Sequence, residues 1–397
     1  MSSIPTETVS PGKASLFYDP KIRGYVYQIV LLDVVGFLIW SAASNAIENL
    51  RAQKIASGFG FWNNAAGFDV NQKLIPFSAS GSTYGQAFFV GLLNTLLVAA
   101  IGIVLATIIG FTVGVARLSG NWIIAKLAMI YVELIRNIPL LLQLFFWYNA
   151  VLKPLPDARN SIHLPGSIYL NNRGIILPSP QFAPGFEAVG IAFLVGIAAA
   201  VAFVIWARGQ QAKTGKQYPN GWIALALVVG LPLIVFVATG RPLSFDYPQQ
   251  GRFNLTGGVQ IFPEFVALLV GLSTYTAAFI AEVVRAGILA VSRGQTEAAH
   301  ALGLRSGPTL KLVVIPQAMR VIIPPLTSQY LNLVKNSSLA VAIGYPDLTQ
   351  VFMGTVLNQT GQAVEMVSIT MAVYLTISLV TSFAMNIYNK RMALVER

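Results

Sequence analysis

The sequence predicts an all-α, polytopic membrane protein with about eight transmembrane helices, and three observations support this fold class. First, 55% of the 397 residues are hydrophobic and only 10% are charged, unlike the composition of water-soluble domains. Second, apolar stretches of about 20 residues or more, each long enough to cross roughly 30 Å of hydrocarbon, recur along the chain. Third, the segments between them are rich in Gly, Pro, Asn and charged residues, which is typical of loops.

Composition also excludes several classes of function. The chain has no Cys, which excludes disulfides, thiolate metal sites and cysteine nucleophiles. Its two histidines, His163 and His300, are too few for a histidine-based metal or catalytic cluster, so no metal site is predicted. The net charge of +11 could suggest a nucleic-acid partner, but in a membrane protein the placement of cations reflects topology. We therefore expect contact with membrane lipid and not with nucleic acid.

Residues 1–84 are predicted to form a cytoplasmic tail, a first membrane helix and an external loop. The apolar stretch is residues 25–46. It contains Asp33, which either faces a partner helix or polar cavity, or lies near enough to the interface to be hydrated. Residues 47–84 carry charged residues with scattered Gly, Asn and Ser, so we expect an extramembrane loop there.

The next apolar stretch, residues 88–116, carries small residues at four-residue spacing: Gly102, Ala106, Gly110 and Gly114. Such a stripe lets another helix approach closely. We interpret it as a packing surface for a helix of the same chain, with dimerisation as the alternative.

Six further membrane-crossing segments are predicted after this stretch. They are residues 122–151, 186–206, 222–240, 263–285, 308–339 and 363–388, with loops at 152–185, 241–262 and 340–362. Glu133, Arg136 and Pro139 interrupt the first of them. An even number of spans places both termini on one side, and the density of Lys and Arg in the loops assigns that side to the cytoplasm.

A polar segment, residues 294–316, separates two of these spans. Residues 295–302 are predicted to form a helix about 12 Å long, ended by Gly303 in a left-handed conformation. A second helix is predicted to start at Pro308, with Ser306 and Gly307 as candidate caps. The two helices would form an elbow.

The elbow carries a recognisable pattern: Glu297-Ala298-Ala299, then Gly303, then Val313-x-Ile315-Pro316. This pattern resembles the EAA loop of ABC importer permeases, in which a cytoplasmic coupling helix fits a groove on the ATP-hydrolysing subunit. The resemblance implies the type I ABC importer transmembrane fold. The ATPase-coupling residues that it implies are Gln295, Thr296, Glu297, Ala298, Ala299, Gly303 and Pro316.

A second segment narrows the resemblance from ABC importer permeases in general to those that take up amino acids. Residues 131–146, which read YVELIRNIPLLLQLFF, resemble the corresponding segment of polar amino-acid uptake permeases. The extra helices resemble those of the larger subunits of general L-amino-acid systems. The resemblance implies an importer subunit in the bacterial inner membrane. Its permease domain is predicted at residues 85–391, with a two-helix insertion at about 152–262 and a cytoplasmic tail at 392–397.

The same resemblance implies the energy source for transport and the partner proteins. The chain has no Gly-x-x-x-x-Gly-Lys-Ser/Thr loop, so we expect a partner subunit to use the ATP. We expect this chain to bind no cofactor and not to be an enzyme. The implied partners are ABC ATPase subunits, a second permease subunit (a related chain or itself) and a periplasmic amino-acid-binding protein. The alternative is a secondary transporter driven by an ion gradient, which would use Asp33, Glu133 or Glu282.

Two cations in otherwise apolar segments, Arg136 and Lys335, are candidates for the substrate path. A cation at the bilayer centre costs roughly 2.5–3.5 kcal/mol on insertion scales, so each either faces a polar cavity or extends to an interface. The hydroxyls on residues 263–285 either face the same cavity or bond between helices. The full candidate set is Arg136, Ser273, Tyr275, Thr276, Lys335, Asn336 and Ser337.

Overall fold

A computed structural model describes residues 20–52, 57–251 and 254–392. Residues 1–19, which make up most of the predicted N-terminal tail, and residues 393–397 of the predicted C-terminal tail lie outside the described residues.

The described part of the chain is mainly helical. Its α-helices are α1 Pro20–Ala52, α2 Tyr84–Ala116, α3 Trp122–Asn137, α4 Leu140–Phe145, α5 Phe186–Thr214, α6 Asn220–Leu225, α7 Leu231–Ala238, α8 Pro263–Leu289, α9 Arg293–Ala301, α10 Ser306–Thr309, α11 Ile315–Asn336, α12 Leu357–Thr360 and α13 Ala363–Met392. π-helical turns at Phe146–Leu152, Ala226–Gly230, Leu310–Val314 and Gln350–Val356 extend or join neighbouring helices. Short 3-10 helices lie at Gly60–Asn63, Ala158–Asn160 and Ser337–Ile343.

Seven helical segments within the described residues are long and apolar enough to cross a membrane, and a bent pair makes eight. The pair is α3 with Leu140–Leu152, and the helix direction bends by 106° at the break between them. Pro139 lies at the bend, where its ring disfavours helical backbone at Ile138 (φ −100°, ψ 127°). The side-chain amide of Gln143 donates to the carbonyls of Ile135 and Ile138 at 2.8 and 2.9 Å, which satisfies groups that the break frees. The predicted span count is confirmed, but this segment is not a straight helix.

The core of the membrane region is the contact between α2 and α8. A Cβ added at Gly110 would lie 2.6 Å from the Cβ of Ile280, and one at Gly114 would lie 2.8 Å from the carbonyl oxygen of Ala281. The small-residue stripe therefore packs against a helix of the same chain, as predicted.

The segment between the last two spans is not the loop that the sequence predicts for residues 340–362. It contains a helix over Gln350–Val356 and α12. Asp347 starts this helix by accepting a hydrogen bond from the backbone N–H of Gln350 at 2.7 Å. The helix is stabilised by packing: buried Phe352 contacts Trp62 of the loop before α2 and Phe88 of α2.

Asp347 is itself almost fully buried, with 1% of its surface exposed. Burial raises the pKa of its carboxyl to about 7, although hydrogen bonds from Gln350 N–H and the Tyr374 hydroxyl oppose this shift. The carboxyl is thus held by neutral donors of two neighbouring segments.

Short strands form where the sequence predicts loops. They are β1 Ile162–Leu164, β2 Ile168–Asn171, β3 Gly174–Leu177, β4 Ser179–Phe182, β5 Leu243–Asp246, β6 Gln249–Gln250, β7 Leu255–Thr256 and β8 Val259–Ile261. β1, β2, β3 and β8 form an antiparallel sheet in that order, while β4 pairs with β5 and β6 with β7. The prediction of loops at 152–185 and 241–262 missed these strands, so the all-α description holds for the membrane region.

Two helical elements lie apart from this core. α1 exceeds the predicted residues 25–46 at both ends, and Asp33 on it is exposed. α5 packs on the helix formed by α6, Ala226–Gly230 and α7, with a Cβ at Gly196 only 2.5 Å from the carbonyl oxygen of Leu227. These helices make up the predicted insertion; its assignment as a unit inside a permease domain stays a prediction.

Candidate functional site

The elbow between α8 and α11 has the predicted helix end. α9 stops at Ala301, and Gly303 adopts φ +79°, a conformation that favours glycine. The N–H of Leu304 then donates to the carbonyl of Ala299 at 3.0 Å, and that of Gly303 to the carbonyl of His300 at 2.9 Å, which is the hydrogen-bond pattern of a Schellman motif. The start of the second helix was predicted wrongly: it begins at Ser306, two residues before Pro308, so Ser306 and Gly307 are in the helix and do not cap it.

The predicted coupling residues separate into two sets by the exposure of their side chains. Ala299 is buried in the elbow with 4% of its surface exposed, and Thr296 and Pro316 are half-buried. Gln295, Glu297, Ala298 and Gly303 are exposed, and Leu302 beside them exposes 83% of its surface. The elbow thus presents one outward surface with an exposed leucine at its end.

Side-chain contacts link the elbow to its neighbours. The side-chain amide of Gln317, on α11, donates to that of Gln295 at 3.3 Å. Between α8 and α2, Glu282 binds two arginines: its Oε1 lies 2.5 Å from Nη2 of Arg285, and its Oε2 accepts a hydrogen bond from Arg117. Nη2 of Arg117 also lies 4.0 Å from the carboxylate of Glu133. The acids considered for an ion-driven mechanism, Glu133 and Glu282, are therefore engaged with arginines.

A cavity of about 360 Å³ lies between α8 and α11. Its lining residues are Tyr275, Thr276 and Phe279 of α8 with Gln329, Asn332 and Asn336 of α11. Three of the predicted substrate-path residues, Tyr275, Thr276 and Asn336, are thus brought together. Phe279, Gln329 and Asn332 were not predicted from the sequence, although the spacing of three and four residues from Gln329 to Asn336 places the three polar residues of α11 on one helix face.

The other candidates lie outside this cavity lining. The guanidinium carbon of Arg136 lies 5.1 Å from the ring centroid of Phe279, which is a lining residue. Ser337 is fully buried, and its hydroxyl donates to the carbonyl of Val334 at 2.7 Å, within its own helical segment. Ser273 is buried at 1% exposure, and Lys335 is exposed at the end of α11.

The chemistry of the cavity is polar but uncharged. Amide and hydroxyl groups supply both hydrogen-bond donors and acceptors, and no carboxylate or ammonium group is among the lining residues. Within the described residues, no group of three or more His, Asp or Glu side chains could hold a metal ion. The arrangement can bind a small polar solute without holding it by a fixed opposite charge.

Comparison with known proteins gives the family. A family model described as a binding-protein-dependent transport system inner membrane component matches residues 219–394. The General L-amino acid transport system permease protein AapQ of Rhizobium johnstonii is 56% identical over 383 residues, which cover 96% of this chain and 95% of AapQ. The chain belongs to this permease family.

Other relatives also align over nearly the whole permease. The putative amino-acid ABC transporter permease protein YhdX of Escherichia coli is 51% identical, covering 97% of this chain and 98% of YhdX. The permease protein BztB of a glutamate/glutamine/aspartate/asparagine transport system of Rhodobacter capsulatus is 43% identical, covering 96% of each chain. A solved structure of an amino acid ABC transporter with histidines is 21% identical, covers 78% of this chain and 95% of that chain, and has a TM-score of 0.46.

Family membership decides the function class. The chain is a permease subunit of an ABC importer and a multi-pass inner-membrane protein, and it is not an ion-driven secondary transporter. The permease is not an enzyme, because the ATPase of such a transporter is a separate subunit. It works with ATPase and binding-protein partners.

Proposed function

We propose that this permease carries amino acids across the inner membrane through the cavity between α8 and α11. The observation that carries the proposal is the 56% identity to the general L-amino acid permease AapQ over nearly the whole of both chains. The cavity supports it, since Asn332 and Asn336 offer donors for a carboxylate and acceptors for an ammonium group. The transporter would hold a second permease subunit, either a related chain or a copy of this one, and would receive substrate from a periplasmic amino-acid-binding protein.

We further propose that the exposed side of the elbow contacts the ATPase. Gln295, Glu297, Ala298 and Leu302 form the contact surface in this proposal, while buried Ala299 and half-buried Thr296 and Pro316 hold the elbow together. ATP is then used by the partner alone, and this chain binds no cofactor.

The substrate path is tested with two variants of α11. Asn332→Leu removes a polar group from the cavity lining, so one hydrogen bond of about 1 kcal/mol is lost and the half-saturation concentration for amino-acid uptake should rise about five-fold. Lys335→Met is the control, because Lys335 is exposed and does not line the cavity. The measurement is ATP-dependent uptake into vesicles with saturating binding protein. Unchanged uptake by Asn332→Leu would remove this cavity from the path.

The proposed orientation places both termini in the cytoplasm. Because the chain has no Cys, one introduced thiol reports its own side of the membrane. Ser57→Cys, in the loop before α2, should react with an impermeant reagent added outside intact cells. Thr214→Cys, at the end of α5, should react only after the membrane is opened. Labelling of both from the same side would contradict the topology.

A further inference from the structure

A second cavity lies near the elbow, between the start of α3 and the ends of α2 and α8. Its volume is about 370 Å³, and its lining residues are Arg117, Trp122, Ala125, Lys126, Met129 and Arg285. Three of the six are cations and one is an aromatic residue. None of these side chains lines the cavity that is proposed above as the substrate path.

Cationic side chains outnumber carboxylates around this cavity. Arg117 and Arg285 share one carboxylate, that of Glu282. Glu133 lies 4.0 Å from Arg117, but 58% of its side chain is exposed, so solvent weakens this second interaction. Lys126 is exposed, and no carboxylate of the described residues lies within 4.0 Å of its ammonium group. The cavity therefore carries a net positive charge, and its lysine ammonium group has no carboxylate partner among the residues that the structure describes.

The helix that carries Lys126 also exposes apolar side chains. Ile123, Leu127 and Ile130 are 59%, 63% and 50% exposed, and their spacing of four and three residues places them on one face of α3. Trp122, at the first position of α3, is 74% exposed. Tryptophan is enriched at membrane–water interfaces, so this end of α3 has the composition of a helix end at headgroup level.

We infer that this cavity binds the phosphate-bearing headgroup of an anionic phospholipid, with an acyl chain along Ile123, Leu127 and Ile130. Lys126 and Arg285 supply the positive charge, and Trp122 lies at the boundary between headgroup and hydrocarbon. A free phosphate ion offers the same charge chemistry, but it makes no use of the exposed apolar face beside the cavity.

The test measures which lipid lies next to Trp122. The purified permease is placed in phosphatidylcholine vesicles that contain either brominated phosphatidylglycerol or brominated phosphatidylcholine, since bromine quenches nearby tryptophan fluorescence. The chain has six tryptophans, so the Trp122 signal is the difference between the wild-type protein and Trp122→Phe. Because one cation contributes roughly a five-fold preference at an anionic surface, we expect phosphatidylglycerol to associate at Trp122 about five-fold more strongly.

Two variants decide the role of Lys126. Lys126→Gln should lower the phosphatidylglycerol preference toward one, and Lys126→Glu should make phosphatidylcholine the preferred lipid. Lys213→Gln is the matched control: it removes an exposed cation at the end of α5 and should keep the wild-type preference. A separate arm adds inorganic phosphate at millimolar concentration.

The outcomes separate the two sources of phosphate. A preference that Lys126→Gln removes and phosphate leaves unchanged supports a lipid headgroup. Loss of the preference on adding phosphate, with no effect of sodium chloride at equal ionic strength, means that the cavity takes free phosphate and overturns the lipid assignment. Equal association of both lipids in the wild type, or an unchanged preference in both Lys126 variants, overturns the site itself.

Discussion

Replacing Gly110 by valine should disrupt the folded permease. The Cβ of a residue at this position would lie 2.6 Å from both Cβ and Cγ2 of Ile280 and 3.1 Å from the carbonyl oxygen of Ala277. Valine adds two further methyl groups, so α2 and α8 would have to move apart. Overpacking in a close-packed core costs about 1–3 kcal/mol, and more where backbone must shift. We expect a loss near 3 kcal/mol, seen as a lower thermal unfolding temperature in detergent and as aggregation.

Gly190→Val is the matched control. Gly190 is a helical glycine on the apolar helix α5, and a Cβ there meets nothing within 4 Å. This variant makes the same chemical change, so it should elute as the wild type on size exclusion and unfold at nearly the same temperature. If Gly110→Val behaves as Gly190→Val does, the close packing of α2 against α8 is wrong.

The membrane-spanning helices were predictable because the bilayer imposes a local requirement. About 30 Å of hydrocarbon demands an uninterrupted apolar helix, so spans such as α2 and α8 appear as long runs in the sequence. The end of α9 was predictable for another local reason, since Gly303 is suited to the left-handed conformation that ends a helix. The helix ends were misplaced, by as many as eight residues at the end of α5, and the predicted span at residues 122–151 is a bent pair of helices.

Several of the elements that were missed depend on contacts between distant parts of the chain. The helix at Gln350–Val356 is shorter than a span, and Phe352 packs on Trp62 and Phe88, far away in sequence. The strands are two to four residues long, and Ile175 pairs with Ile261 across the inserted helices. Nothing local in the sequence specifies the pairing of β3 with β8. By contrast, β1, β2 and β3 are joined by short turns, one of which contains Pro165-Gly166, and this local hairpin signal was not used.

The candidate substrate cavity was likewise predictable only in part. The sequence predicted that residues of α8 and α11 share a polar cavity, and the structure brings Tyr275, Thr276 and Asn336 together in one. It did not give the rotation of α11 about its own axis, which depends on how buried Ile322, Leu326 and Leu333 pack against their neighbours. This rotation directs Asn332 to the cavity and leaves Lys335 outside its lining.

The second large effect is expected at Gly303, where valine should uncouple transport from ATP hydrolysis. Gly303 has φ +79°, and a β-carbon there meets nothing within 4 Å, so the cost of a side chain is backbone strain and not a clash. Left-handed backbone costs roughly 1–2 kcal/mol for ordinary residues. Since the site is exposed, the chain can relieve this strain by changing the angle between α9 and the following helix, which leaves the membrane core intact.

We therefore expect Gly303→Val to unfold at the wild-type temperature but to lose about ten-fold in ATP-driven uptake, because a coupling change of roughly 1.4 kcal/mol corresponds to that factor. Gly303→Asn is the matched control: asparagine adds a side chain of similar size but tolerates the left-handed conformation, so uptake should stay near the wild-type value. Substrate-stimulated ATPase activity of the assembled transporter, measured beside uptake, distinguishes lost coupling from lost assembly. Equal uptake by the valine and asparagine variants would mean that the angle of the elbow does not control coupling.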